Sequence, residues 1–146
     1  MNIRQATAAD LTTIHKLVEE LAIYEKEPDA FVATIEDYHR DFESGWFEAI
    51  LAEDGAGQVL GMAVYYETFS TWNGRMLYLE DFVVTEASRK TGIGQLLFEQ
   101  VLQIAKEKEC KLLKWQVLDW NEPALNFYRK NRATIEDNWL NGKIYL

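Results

Sequence analysis

The residues with the clearest chemical potential are six in a row: Arg89, Lys90, Thr91, Gly92, Ile93 and Gly94. They follow a strand-like apolar run at 77–84 and open a helix whose apolar face carries Ile93, Leu96, Leu97, Val101, Ile104 and Ala105. Glycines at a strand-to-helix turn let backbone N–H groups approach an anion closely, and a helix N-terminus adds partial positive charge. The chemistry expected is the grip of a pyrophosphate by the main-chain amides of Lys90, Thr91, Gly92, Ile93, Gly94 and Gln95. Arg89 and Lys90 add charge. A P-loop would continue with Lys and Ser or Thr after its second glycine, where Gln95 and Leu96 stand. A dinucleotide-binding turn would carry a third Gly or Ala where Leu97 stands.

The elements that must position this turn follow from local patterning. Residues 2–6 read as a short strand. Thr7, with Asp10 three residues on, resembles a capping box opening a helix with Leu11, Ile14, Leu17, Val18 and Leu21 on one face. A second helix begins at Thr34, again with an acid, Asp37, three residues later. Strands at 46–52 and 59–67 flank a turn rich in Gly and Asp and form a hairpin. Another strand spans 76–84, followed by a helix over 92–109, a strand over 111–118 and a short helix from Asn121 and Pro123 to about Lys130. Strands at 134–140 and 143–146 are expected to pair across Asn141-Gly142, a strong hairpin dipeptide. This order predicts an α+β fold, a mixed and mostly antiparallel sheet flanked by helices, in a single domain covering 1–146.

Composition narrows the function classes. A chain of 146 residues with 48% apolar and 27% charged residues suits one globular domain. Five Trp and seven Tyr exceed what a small core needs, so some are expected to line a groove. A net charge of −9 argues against a nucleic-acid partner and is compatible with attracting a small cation. No apolar run approaches the ~20 residues that span a bilayer, and the start lacks a basic-then-apolar signal pattern, so no membrane partner is expected. Cys110 is the sole cysteine, which excludes an intramolecular disulfide and fits a cytoplasmic protein. It reads as a buried structural thiol. His15 and His39 read as helix-surface residues without ligand partners at suitable spacing, so no metal site is expected.

The pattern that survives is Arg-x-x-Gly-x-Gly, and with it the chain resembles the Gcn5-related N-acetyltransferases, whose acetyl-CoA motif this is. Three other segments share the resemblance. They are the opening from Ile3 to Asp10, the run Tyr78, Leu79, Glu80, Asp81, Phe82, Val83, Val84, and the late segment from Trp120 to Tyr128. Together they look like the diamine branch, the spermidine/spermine and thialysine acetyltransferases, nearly end to end.

The resemblance implies acetyl-CoA as cofactor, with Phe82, Val83 and Val84 pairing their main chain with the pantetheine arm. It also implies contacts from residues 89–95, Asn121 and Tyr128. The substrate would be a small primary amine, and attack would be direct in a ternary complex because no activated Cys or Ser is evident. An alkyl ammonium lies about 3.4 pH units above neutrality, so reaching the free amine takes roughly 4.6 kcal/mol. Glu80 is the expected base, with Asp81 on the opposite face of the strand, and Tyr128 the expected acid toward the leaving thiolate. Glu25, Glu80 and Asp137 would bind a distal ammonium, while Tyr24, Trp72 and Trp115 would wall its methylene chain. Two alternatives stay open: a protein or peptide acetyltransferase, and a non-catalytic acyl-CoA-binding module.

The chain departs from the branch at two points. Ser70 stands where the polyamine enzymes carry an acid, which favours a shorter or different amine. Arg132 occupies the usual glycine position after the tyrosine helix, so Asn131 is expected to take the positive φ or the turn to be rebuilt. A homodimer is implied, and the short C-terminal strand bears on how it forms.

Overall fold

The computed structural model describes all 146 residues. The chain divides into two compact units, Met1–Trp115 and Gln116–Leu146. The first holds a five-stranded sheet in simple sequential order. Its strands are β1 (Asn2–Gln5), β2 (Glu48–Glu53), β3 (Val59–Ser70), β4 (Gly74–Val84) and β5 (Leu112–Lys114). Neighbours pair antiparallel except β4 and β5, which run parallel. The same unit holds the helices α1 (Leu11–Tyr24), α2 (Ile35–Glu43) and α3 (Ile93–Glu107). The α+β class and the mixed, mostly antiparallel sheet are as the sequence predicts.

Alternation along the strands sorts side chains to two faces. Ala49, Leu51, Met62 and Val64 pack with Leu11, Ile14 and Leu17 of α1, and Ile35, Tyr38 and Phe42 of α2 close over them. Leu11 and Ile14 are fully buried, and each such side chain contributes about 1.5–3 kcal/mol. The opposite face receives α3 at very close range. A Cβ on Gly61 would lie 2.9 Å from Leu97 Cδ1 and 2.9 Å from the Val83 carbonyl oxygen, so only glycine lets α3 settle on β3. The sequence reading does not single out Gly61.

Local signals set the helix starts. The Thr7 N–H donates to the Asp10 carboxylate at 2.8 Å. The Arg4 guanidinium grips Asp10 through two 2.9 Å bonds and reaches Glu53 at 3.0 Å, tying β1 to the head of α1 and to β2. Arg4 holds the Asp10 carboxyl down to about 2. Thr34 and Asp37 form a full capping box on α2.

The second unit contains α4 (Glu122–Lys130), capped by Asn121, whose side chain accepts from the Ala124 N–H at 3.3 Å. Two expectations fail here. No strand forms beyond residue 133, so the hairpin across Asn141-Gly142 is absent. A two-stranded hairpin is marginal without a surface to bury its apolar side, and Trp139, Leu140, Ile144 and Tyr145 all stay exposed. Arg132 itself takes the left-handed conformation (φ 63°), while Asn131 remains at φ −86°. The strand expected over 111–118 is also shorter, ending at Lys114.

Candidate active site

The turn between β4 and α3 is built for main-chain contacts. After β4 the Thr85 N–H bonds the Leu60 carbonyl at 2.9 Å, and a short 3-10 turn covers Glu86–Ser88. Arg89 is extended, Lys90 is left-handed at φ 62°, and Gly92 is left-handed at φ 89°. Left-handed residues among right-handed or extended ones gather successive N–H groups into an anion-binding concavity. Gly92 is the N-cap of α3 and supplies no side-chain cap. The first intrahelical bond runs from the Leu96 N–H to the Gly92 carbonyl at 3.1 Å. The N–H groups of the first turn of any helix lack partners within it, so this end is electropositive. A Cβ on Gly92 would meet nothing within 4 Å, so the space before the turn is open. These features fit the diphosphate of coenzyme A.

The side chains of the turn are spoken for differently. The Thr91 hydroxyl donates back to the Ser88 carbonyl, which braces the loop. Arg89 Nε donates to the Val84 carbonyl at 3.3 Å, and its guanidinium lies 5.5 Å from the centre of the Tyr24 ring. Arg89 thus links the cradle to the end of β4 and to the last residue of α1. Lys90 is exposed, and the Gln95 side chain reaches Glu99 at 3.0 Å along the helix.

The strand before the cradle opens on one side. The parallel ladder between β4 and β5 joins Met76, Leu77 and Tyr78 to Leu112, Leu113 and Lys114 and then stops. β4 continues against β3 as far as Val84, which pairs with Gly61. Phe82, Val83 and Val84 therefore lie on the stretch beyond the β5 ladder. A perpendicular aromatic row, Phe82 to Phe98 at 6.0 Å and Phe98 to Trp115 at 5.7 Å, stands on the α3 side.

A cluster of acids and phenols occupies the α1/α2 side. Val64 pairs with Asp81 but Tyr65 pairs with Leu79, so Glu80 is an extra residue in β4, a β-bulge. The sequence reading assumes unbroken alternation, which would send Glu80 and Asp81 to opposite faces. The bulge cancels that step, and the charges of both bear on the phenols of Tyr38 and Tyr66. The Tyr66 hydroxyl donates to Glu80 Oε2 at 3.1 Å, and its ring stacks on Tyr78 at 5.4 Å.

Electrostatics distinguish the members of this cluster. Asp81 is half-buried, and its carboxyl makes no hydrogen bond or ion pair. Burial, reinforced by the charges of Glu80 and Glu25, pushes it up to about 7. Burial likewise raises the Glu25 carboxyl. It also pushes the Tyr38 and Tyr66 phenols up to about 12, with help from the neighbouring carboxylates.

The other candidates distribute as follows. Tyr24 lies under Arg89, and Glu25 follows it as the C-cap of α1, where its charge bears on Asp81. Trp72 does not: it sits 86% exposed at the tip of the β3–β4 hairpin. The ladder from Ser70 to Tyr65 separates that tip from the bulge, roughly 20 Å of strand. Trp115 packs edge-on against Phe98, on the sheet face away from Glu80. In the second unit Tyr128 is 6% exposed and packs edge-on against Phe127, and Asp137 is exposed in the irregular tail. His15 is not a free surface residue. Its ring packs between Phe31 and Tyr38, and Nε2 lies 2.8 Å from the Ala33 carbonyl oxygen. The sequence reading misses Tyr38, Tyr66 and Tyr78. The doublet Tyr65-Tyr66 is a usable signal, because alternation must turn one of the two away from the α3 face.

Comparison with known proteins agrees with this geometry. The Acetyltransferase (GNAT) family matches residues 11–132. A thialysine N-epsilon-acetyltransferase from Bos taurus is 37% identical over 136 residues, covering 87% of this chain and 80% of that protein. The Mus musculus thialysine N-epsilon-acetyltransferase is 35% identical, covering 94% and 88%. A spermidine/spermine N(1)-acetyltransferase-like protein 1 from Homo sapiens is 35% identical over 94% of this chain, which spans only 21% of that protein. Among solved structures, an aminoglycoside acetyltransferase from an uncultured soil metagenomic sample superposes with a TM-score of 0.81 at 19% identity, covering 99% and 95%. An open, glycine-capped helix start beside a splayed strand is thus found in a chain that belongs to the GNAT acetyltransferase family, enzymes whose acetyl donor is acetyl-CoA.

Proposed function

We propose that this chain acetylates a primary amine of a small diamine, polyamine or thialysine-like molecule by direct attack within a ternary complex. The observation that carries this reading is the cluster of Glu25, Glu80 and Asp81 on one face of β4, next to the glycine turn. The charges of Glu80 and Glu25 raise the proton affinity of Asp81, and a cationic substrate relieves that repulsion. The named diamine-type relatives support the same substrate class.

Residues 90–95 hold the diphosphate, with Arg89 held alongside. The β4 stretch carrying Phe82, Val83 and Val84 offers main-chain groups to the pantetheine arm, and Asn121 contacts it from the head of α4. Acetyl-CoA supplies the activated acetyl thioester. The Glu80–Asp81 pair receives the ammonium and removes its proton, and Tyr128 supports the departing thiolate through its phenol. Tyr24 and Glu25 border the amine, with Asp137 on the substrate side. The full 146 residues act as one N-acetyltransferase domain, as a cytoplasmic homodimer. Thiol release measured across diamines, polyamines, amino acids and aminoglycosides tests the reading. The expected result is preference for a short diamine or thialysine-like amine. Activity confined to peptide N-termini, or none at all, overturns it.

A further inference from the structure

Arg4, Arg40 and Arg129 are each paired with a carboxylate, at 2.9, 3.2 and 3.8 Å. Arg89 makes no ion pair, although the chain carries 24 acidic residues. Both of its contacts are with uncharged groups. Nε donates to the Val84 carbonyl at 3.3 Å, and the guanidinium lies 5.5 Å from the centre of the Tyr24 ring. A carboxylate partner would cancel the charge that a diphosphate needs and would itself repel that anion. The face of an aromatic ring attracts a cation through its quadrupole and leaves the charge in place. The bond to Val84 uses Nε and leaves the two terminal nitrogens to donate elsewhere.

We propose that Tyr24 is a positioning residue for the cofactor: its ring holds the Arg89 guanidinium beside the glycine turn, still charged, to meet the diphosphate of coenzyme A. This rests on the acetyl-CoA cradle and does not depend on which amine is acetylated. It adds a cofactor role to a residue otherwise placed beside the amine.

The setting of the two side chains suits this task. Arg89 is exposed, and an arginine at the surface has much rotamer freedom to lose before it can hold a ligand. A ring already under the guanidinium removes part of that cost ahead of binding. Tyr24 is itself anchored through its backbone. It is the last residue of α1, and just beyond it the Glu25 N–H bonds the Leu21 carbonyl at 2.8 Å and the Lys26 N–H bonds the Ile23 carbonyl at 3.0 Å. Its side chain is 42% exposed, whereas α1 packs into the core through Leu11, Ile14 and Leu17. Replacing the ring therefore leaves the core contacts of the helix in place.

The test is calorimetric titration of the full chain with coenzyme A, with no amine present. Tyr24→Leu should weaken binding about fivefold and Tyr24→Phe by less than about twofold, because the ring and not the hydroxyl makes the contact. Arg89→Gln should weaken it about tenfold. The double variant Tyr24→Leu/Arg89→Gln should bind no worse than Arg89→Gln alone, because one residue acts through the other. Unchanged binding in Tyr24→Leu overturns the proposal, and so does an equal loss in Tyr24→Leu and Tyr24→Phe. A loss from Tyr24→Leu that persists in full in the Arg89→Gln background shows that the ring acts on the fold rather than through Arg89, and overturns it too. A wild-type chain that fails to bind coenzyme A overturns the cradle and this role with it. Because no amine takes part in the titration, the proposed substrate class can fail while this role holds.

Discussion

The heads of α2 and α3 solve the same problem in opposite ways. Each presents N–H groups that the helix cannot satisfy. At α2 the Thr34 hydroxyl accepts from the Asp37 N–H at 3.1 Å, and the Asp37 carboxylate accepts from the Thr34 N–H at 2.9 Å, so the end is closed by its own side chains. At α3 the N-cap is Gly92, left-handed and without a side chain, and the preceding Thr91 hydroxyl turns back to Ser88. The lesson is that a helix start stabilised internally is a structural feature, while one left open by glycine is available to a ligand. Their sequences differ accordingly: Thr with an acid three residues on, against Gly-Ile-Gly.

The largest effect should come from closing the open end. Gly92→Val forces a β-branched residue into φ 89° and puts methyl groups into the open space. Acetyl-CoA affinity measured by calorimetry should fall about 100-fold or more, with far-UV circular dichroism unchanged. Retained affinity would mean that the two helix heads do not differ in function. Next comes Tyr128→Phe, which should lower turnover about 100-fold while leaving acetyl-CoA binding near that of wild type. Unchanged turnover would remove Tyr128 from the acid role and leave the cradle untouched.

A smaller effect concerns stability at the acid cluster. The Asp81 carboxyl is raised to about 7 in the folded chain, above its ordinary value of 3.8. The stability it contributes is therefore complete below about pH 4 and lost as pH rises through about 7. Asp81→Asn should abolish that slope. Thermal melts at pH 5 and pH 8 should show the variant gaining on wild type at the higher pH, by the order of 1–2 kcal/mol. Equal differences at both values would show that burial does not hold the proton. The smallest expected change tests the other helix head. Thr34→Ala should lower stability by about 1 kcal/mol in urea unfolding without altering acetyl-CoA affinity, and a loss of affinity would erase the contrast between α2 and α3.

Local elements are legible wherever a short-range rule governs them. Thr34 with Asp37, Asn121 with Pro123, and the glycine turn before α3 each declare a helix start within four residues. The same local signal misleads at Asn141-Gly142, because a hairpin also needs a surface on which to bury Trp139, Leu140 and Ile144. Trp72 looks like a substrate wall by its place in the sequence, yet the long β3–β4 ladder carries it away from Glu80. Gly61 looks ordinary until Leu97 and Val83 are seen 2.9 Å from where its Cβ would be.

The sequence by itself determined the class of chemistry. A glycine at a strand-to-helix junction, preceded by Arg and Lys, is enough to propose an anion cradle, since φ preference and exposed N–H groups are properties of a few adjacent residues. Only the tertiary structure decided how the acids are deployed. The bulge opposite Val64 and Tyr65 turns Glu80 and Asp81 to one face, where Asp81 is half-buried and feels the charge of Glu25 while Tyr66 takes hold of Glu80. Register and burial arise from pairings between distant segments, so no window of sequence around Glu80 contains them.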